Sequence, residues 1–200
     1  MFRTKARIFA GTVLAAAAVV LSSGTAHANN SGDYSTSYVD GGDAYTDDWG
    51  ENFEDIGNSL CDGCANDNTD IVLVWQSILY AEGLLARSGI DGNFGPATDA
   101  ATEKWQAIYG LTADGWVGEG TWKAADNRLF LSASGTIVYY LARDKKQHVA
   151  FTRGSHLIRG DGGAYQLRGA TGRDGKAVAF GYNSDTKIYY GQKTLTPKFS

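Results

Sequence analysis

The sequence predicts an α+β protein: a small three-helix bundle, an antiparallel β-rich C-terminal region after it, and a disordered acidic N-terminal leader before it. Three observations carry this. Apolar residues recur at helical spacing between Thr69 and about Leu129. Beyond Leu129, short β-prone runs alternate with turns containing Gly and Asp. Ahead of both lies a stretch rich in Gly, Asp, Ser, Asn and Tyr without sustained periodicity. These shifts divide the chain into 1–28, 29–68, 69–129 and 130–200.

The first helix is expected to start at Thr69-Asp70, which can cap it. It carries Ile71, Val74, Trp75, Ile78, Leu79 and Leu85 on broadly one face and closes between Gly83 and Gly89. Gly95-Pro96 opens a second, because proline suits a first-turn position whose N–H has no helical partner. Ala97, Ala100, Ala101, Trp105 and Ile108 keep the period until Gly110 stops it. A third short helix runs from Glu119 or Gly120 through Ala125 and carries Trp122. Trp75, Trp105 and Trp122 fall on apolar faces and belong in the core.

The β-prone runs are 136–141, 148–152, 164–168, 177–180 and 187–190. Turn-formers separate them at Arg143-Asp144-Lys145-Lys146, Gly160-Asp161-Gly162-Gly163, Arg173-Asp174-Gly175 and Asn183-Ser184-Asp185. The pattern is an antiparallel meander, either a small β domain or a sheet packed on the helices.

Within the helical segment one phrase occurs twice. Asp91-Gly92-Asn93-Phe94-Gly95-Pro96-Ala97-Thr98 is echoed by Asp114-Gly115-Trp116-Val117-Gly118-Glu119-Gly120-Thr121, with Ala101 and Ala124 trailing in register. Each copy ends where a helix begins. Turn chemistry is enough to explain Asp91, Gly92, Asp114 and Gly115: Asp bonds its own downstream backbone and Gly supplies a positive φ. Gly95, Gly118, Thr98 and Thr121 complete the motif, the threonines being placed to bond back into the first helical turn.

The ends and the charge bound where the chain works. Residues 1–28 have the pattern of a secretory signal peptide. Arg3, Lys5 and Arg7 precede an apolar run from Ile8 to Leu21, and Ala26-His27-Ala28 supplies a small-x-small cleavage site. The exported chain is then expected to be extracellular, with no membrane contact in its mature form. Between Asn29 and Asp70 the charged residues are all acidic, and no Lys or Arg occurs between Asn29 and Arg87. From Asn127 to Ser200 twelve Lys and Arg face four Asp. The basic end therefore meets an anionic surface, or the acidic end folds over it, or both are ordinary solvated charge. Cys61 and Cys64, in Cys-Asp-Gly-Cys, are the only cysteines, and in an exported chain they are expected to pair as a small-loop disulfide. Tyr34, Tyr38, Tyr45, Trp49 and Phe53 make the leader more aromatic than a spacer needs, so part of it is able to dock on a folded neighbour.

Three stretches together carry a resemblance. They are Val72-x-x-Trp75-Gln76-x-x-Leu79, Gly89-Ile90-Asp91-Gly92-x-Phe94-Gly95-Pro96-x-Thr98, and Trp105-Gln106 followed by Gly110-Leu111-x-x-Asp114-Gly115-x-Val117-Gly118-x-x-Thr121-Trp122. This combined spacing resembles the small helical peptidoglycan-binding domain often appended to bacterial cell-wall hydrolases. Trp75 and Trp105 stand where that family usually has smaller apolar residues or Phe, and Glu119 replaces its second Pro. The resemblance implies a peptidoglycan partner. A glycan or stem peptide binds through aromatic surfaces and a few polar groups in a shallow groove. Asn93, Tyr109 and Trp116, at loop or helix-end positions near the repeated turns, are the candidate contacts.

Family members often carry an enzyme as well, but this sequence does not show one. No Cys follows Cys64, which removes a cysteine transpeptidase from the tail. Asp144, Asp161, Asp174 and Asp185 all stand in apparent turns, not in apolar runs that would desolvate a catalytic acid. After His27 the histidines are His148 and His156, whose separation fits no zinc-ligand signature. Ser155, His156 and Asp161 are neighbours in sequence, which is not triad geometry. No cofactor or metal is called for. Arg143, Lys145, Lys146, Arg153, Arg159, Arg168 and Arg173 surround aromatic strands, a face suited to anionic wall polymers or simply to water. Export argues against nucleic acid. The expectation is a secreted wall-binding protein, non-catalytic or accessory. The alternatives are a small peptidoglycan hydrolase using the C-terminal region and a regulator of an exported partner.

Overall fold

The computed structural model describes Val39, Trp49 and residues 60–153, 165–180, 187–189 and 191–200. Helices α1 (Asp70–Ala81), α2 (Pro96–Ile108) and α3 (Glu119–Asp126) come first, with a 3-10 turn at Arg87–Gly89. Strands β1 (Leu129–Leu131), β2 (Ile137–Leu141), β3 (His148–Arg153), β4 (Tyr165–Thr171), β5 (Ala177–Phe180) and β6 (Pro197–Phe199) come after them. They pair antiparallel in chain order as one sheet, the meander that the turn pattern predicts.

Helix α1 is apolar on nearly every side, and all twelve of its residues are buried. A surface helix would keep a polar face in water. This one cannot, because α2 covers one side while β3 and β4 cover another. A single apolar core therefore runs through both layers, from Trp75, Trp105 and Trp122 to Tyr140, Phe151 and Leu167. Of the two arrangements expected for the meander, the chain builds the sheet packed on the helices. The two other short helices do not enclose a helix that is hydrophobic all round, so the sheet supplies the missing wall.

The polar groups at the two ends of α1 tie it to the sheet and to the C-terminal segment. Asp70, fully buried, accepts hydrogen bonds from the backbone N–H of Thr194 (2.8 Å), Leu195 (2.9 Å) and Tyr189 (3.3 Å) and from the Thr194 hydroxyl (2.7 Å). Its place in the first helical turn adds a favourable dipole interaction. At the other end, buried Glu82 accepts from the Tyr109 hydroxyl (2.6 Å), the Tyr140 hydroxyl (2.7 Å) and the Arg143 N–H (3.1 Å). Trp105 in turn donates to the Tyr140 oxygen (3.1 Å). A buried carboxylate is tolerated only when it is so satisfied.

Several elements depart from the sequence reading. Thr69 stands at the N-cap of α1 but makes no capping bond; its hydroxyl donates to the Asn66 carbonyl instead. Strands β1 and β6 are three residues each, too short to show alternation, and β6 opens on a proline. Among the described residues of the expected run at 187–190 there is no named strand, and Lys187 is bridged to Gln166. The disulfide between Cys61 and Cys64 is present. Most of the leader lies outside the described residues, as do residues 1–28. At Val39 and Trp49 it is docked. Val39 bonds Ile188 and Tyr165 through its backbone, and Trp49 packs against Trp122, Tyr140 and Phe151.

Two outcomes are expected. A fragment of residues 69–129, lacking the sheet, leaves one side of α1 and the Glu82 carboxylate uncovered. Chemical denaturation of that fragment should show no cooperative transition, while the full chain shows one. The second concerns alkali. Burial, and then the Glu82 hydrogen bond, push the Tyr109 hydroxyl from 10.0 up to about 12, and burial holds Tyr140 well above its ordinary range. The folded state then keeps protons that the unfolded chain releases. The corresponding stability is whole below pH 10 and is lost as pH rises toward about 12. Thermal melts should hold steady up to about pH 10 and fall beyond it.

Candidate functional site

The repeated phrase is built around two glutamines. From α1, Gln76 reaches into the first loop. Its Oε1 accepts from the N–H of Asp91 (3.0 Å) and Gly92 (2.7 Å), and its Nε2 donates to Asp91 Oδ1 (2.9 Å), the Asn93 carbonyl (2.9 Å) and Thr98 Oγ1 (3.1 Å). From α2, Gln106 repeats this in the second loop. Oε1 accepts from Asp114 N–H (3.0 Å) and Gly115 N–H (3.0 Å), and Nε2 donates to Asp114 Oδ1 (2.9 Å), the Trp116 carbonyl (2.8 Å) and Thr121 Oγ1 (3.2 Å). Both glutamines are buried.

The motif residues have matching duties. Asp91 Oδ1 also accepts from Asn93 N–H (2.8 Å), and Asp114 Oδ1 from Trp116 N–H (3.0 Å), closing an Asx turn in each loop. Gly92 and Gly115 take φ of 77° and 75°, the left-handed region that favours glycine. Gly95 and Gly118 are the N-cap residues of α2 and α3, and their carbonyls accept the first helical N–H groups. Thr98 and Thr121 take part chiefly as acceptors for the glutamine amide, a role the helical-turn reading did not contain. Gln76 and Gln106 were visible only as the second member of two Trp-Gln pairs. Their common offset from the two apolar helix faces was the available signal.

A strap joins the loops. Leu60 bridges Val117, Asn68 bridges Asn93, and the Cys61–Cys64 disulfide closes the turn between these bridges.

The two loops differ in what lies over them. Above the first, the Lys193 side chain from the C-terminal segment packs so near Gly92 that a Cβ there would collide with it. The Asp70 hydrogen bonds to residues 194 and 195 hold that segment down. Over the second, the Asp99 side chain of α2 packs so near Gly115 that a Cβ there would collide with it, and a groove opens beside it. Leu111, Thr112, Asp114, Trp116, Gly118, Gly120 and Thr121 line a groove of about 350 Å³ whose floor includes Gln106. Trp116 is 54% exposed, a large apolar ring left in water beside a carboxylate and hydroxyls. Asp114 Oδ2 accepts no hydrogen bond among the described residues. Such a groove offers one flat apolar surface and a few polar groups, the composition that suits a sugar ring or short peptide.

The three candidate contacts do not share this groove. Trp116 lines it. Asn93 is exposed on the first loop, its carbonyl held by Gln76. Tyr109 is half-buried, its hydroxyl given to Glu82 and its ring packed on Trp105 with Arg128 over it at 5.4 Å. In the tail, His148 is half-buried against Tyr139 and beside Thr171, and burial lowers its pKa. Ser155, His156 and Asp161 lie outside the described residues. Among the described residues no three His, Cys, Asp or Glu side chains converge as a metal-binding group, and no helix is long and apolar enough to cross a membrane.

Replacing Gln106 by Ala strands the buried N–H of Gly115 and the inward carbonyl of Trp116, and should cost about 2–3 kcal/mol. Gln76→Ala should cost about the same, since the partners repeat. Urea midpoints of both variants test the equivalence; a much smaller loss in either would show that its loop is held by other bonds.

Comparison with known proteins agrees with this geometry. Residues 68–125 match the family model described as "Putative peptidoglycan binding domain". A zinc D-Ala-D-Ala carboxypeptidase of Streptomyces albus G is 56% identical over 36 residues, covering 18% of this chain and 14% of that protein. A protein of Kitasatospora aureofaciens, named as an uncharacterized protein in the bpoA1 3'region, is 39% identical over 71 residues, covering 36% of this chain and 58% of its own. The chain thus spans less than two thirds of each relative. No solved structure matches. With its two glutamine-held loops, the segment 68–125 belongs to the peptidoglycan-binding domain family.

Proposed function

We propose that the protein is exported and binds bacterial peptidoglycan without cleaving it, through the groove at the second repeated loop. The observation that carries this is the open groove under exposed Trp116 inside the family-matched segment. Trp116 stacks on the apolar face of a sugar or stem-peptide group, while Thr112 and the free Asp114 oxygen take its polar edge. Because Gln106 holds both Asp114 and the Trp116 backbone, the contact surface is set before ligand arrives, which lowers the ordering cost of binding. Asn93 and Tyr109 are secondary contacts on this reading, outside the groove's lining. The pattern of residues 1–28 supports export, and the family supports association with the wall. The Streptomyces relative is named as a carboxypeptidase, but the likeness extends over 14% of its length, and no catalytic role is transferred.

Co-sedimentation of the purified protein with sacculi, with muropeptides assayed in the supernatant, tests this. The protein should pellet and release nothing. Trp116→Ala should weaken binding roughly tenfold or more, with unchanged melting. Muropeptide release would instead favour a hydrolase using the C-terminal region. Failure of the wild-type protein to pellet would leave the domain as a scaffold alone.

A further inference from the structure

The β2–β3 connection reads Ala142-Arg143-Asp144-Lys145-Lys146 and the β4–β5 connection Gly172-Arg173-Asp174-Gly175-Lys176. They are the same turn. Lys145 N–H donates to the Ala142 carbonyl (2.8 Å) and Gly175 N–H to that of Gly172 (3.1 Å). Lys146 N–H donates to Asp144 Oδ1 (3.1 Å) and Lys176 N–H to Asp174 Oδ1 (3.0 Å). Both turns stand at one end of the sheet, and Arg173 reaches Asp144 at 3.8 Å between them.

Two features separate this end from ordinary solvated charge. The carboxylates are used internally: Asp144 by its turn and Arg173, Asp174 by its turn and the Tyr80 hydroxyl (2.6 Å). Arg143, Lys145, Lys146 and Lys176 are exposed and make no side-chain hydrogen bond among the described residues. The backbone is the second. At the position where one turn has Gly175 with φ 73°, the other has Lys145 with φ 59°, the one non-glycine positive φ among the described residues. Glycine would fit there without strain. The residue there is instead a lysine, exposed to solvent.

We infer that the paired turns form a second binding surface, for a phosphodiester-bearing polymer of the cell wall. Two turns centred two strand spacings apart, roughly 10 Å, match repeated anions along a chain better than one isolated anion. Arginine forks and lysine ammoniums together suit phosphate oxygens. The inference rests on the reading that the protein meets the wall, but its ligand and residues are separate from the Trp116 groove.

The test compares two sacculus preparations, one with its covalent phosphodiester polymers and one stripped of them by hydrofluoric acid. Wild-type protein should bind the unstripped sacculi more tightly, by roughly tenfold at low salt, with the excess vanishing at high salt. The variant R143E/K146E/K176E should lose that excess and still pellet with stripped sacculi. Lys145→Gly should melt no lower than wild type yet bind unstripped sacculi more weakly. Equal binding by wild type and triple variant overturns the inference. So does a triple variant that melts lower while its polymer binding is unchanged, which would assign the turns to an acidic segment of this same chain. Wild-type failure on stripped sacculi alone would count against the groove reading and not against this one.

Discussion

Helix α1 has no face in water, and the rest of the structure answers that constraint. An apolar helix of twelve buried residues must be walled on every side, and its polar groups must each find a partner inside. The carboxylate at its start holds the C-terminal segment, and Glu82 just past its end gathers Tyr109 from the end of α2, Tyr140 from β2 and the backbone after β2. Between them Gln76 holds the first loop, and Tyr80 leaves the helix to meet the β4–β5 turn, where Gly172 alone gives its ring room. One helix thus sets the places of the second helix, the sheet and the chain's end.

The site arises from an asymmetry laid on a repeat. Both loops are held by the same five hydrogen bonds to a glutamine, so their backbones are equivalent in kind. They diverge through what covers them. The C-terminal segment, fastened to Asp70, lays Lys193 over Gly92 in the first loop, whereas Asp99 of α2 lies over Gly115 in the second, with a groove beside it. The residue after the Asp-Gly pair differs as well: Asn93 in the first copy, Trp116 in the second. A stacking side chain therefore stands in the copy with room for a ligand.

Local signals made much of the fold legible. Helix boundaries fell near Gly83, Pro96 and Gly110, because these residues restrict or release φ regardless of what surrounds them, although Leu85, expected on the first helix, lies beyond its end at Ala81. Four of the six strands were visible in alternation and turn chemistry. Strands β1 and β6 were not, since three residues have no period and exist only through their pairing with β2 and β5. Trp49 and Val39, within a leader that lacks any pattern, are buried because distant aromatic and strand partners receive them. In the site, the Asp-Gly pairs could be read as turns, but the glutamines that fasten them lie 15 and 8 residues upstream. Nothing in local spacing names that partner.

Sequence alone was enough for whatever one residue imposes on its own backbone: turns, helix ends, the repeat, and through the repeat the family. It took the packed molecule to settle that the sheet belongs to the same core as the helices, which side chain lies over each loop, and which carboxylates are spent internally. A backbone preference acts on its own residue and its near neighbours. A buried side chain is stabilised by the groups it meets, and those groups lie far away along the chain, as Asp70 and Thr194 do.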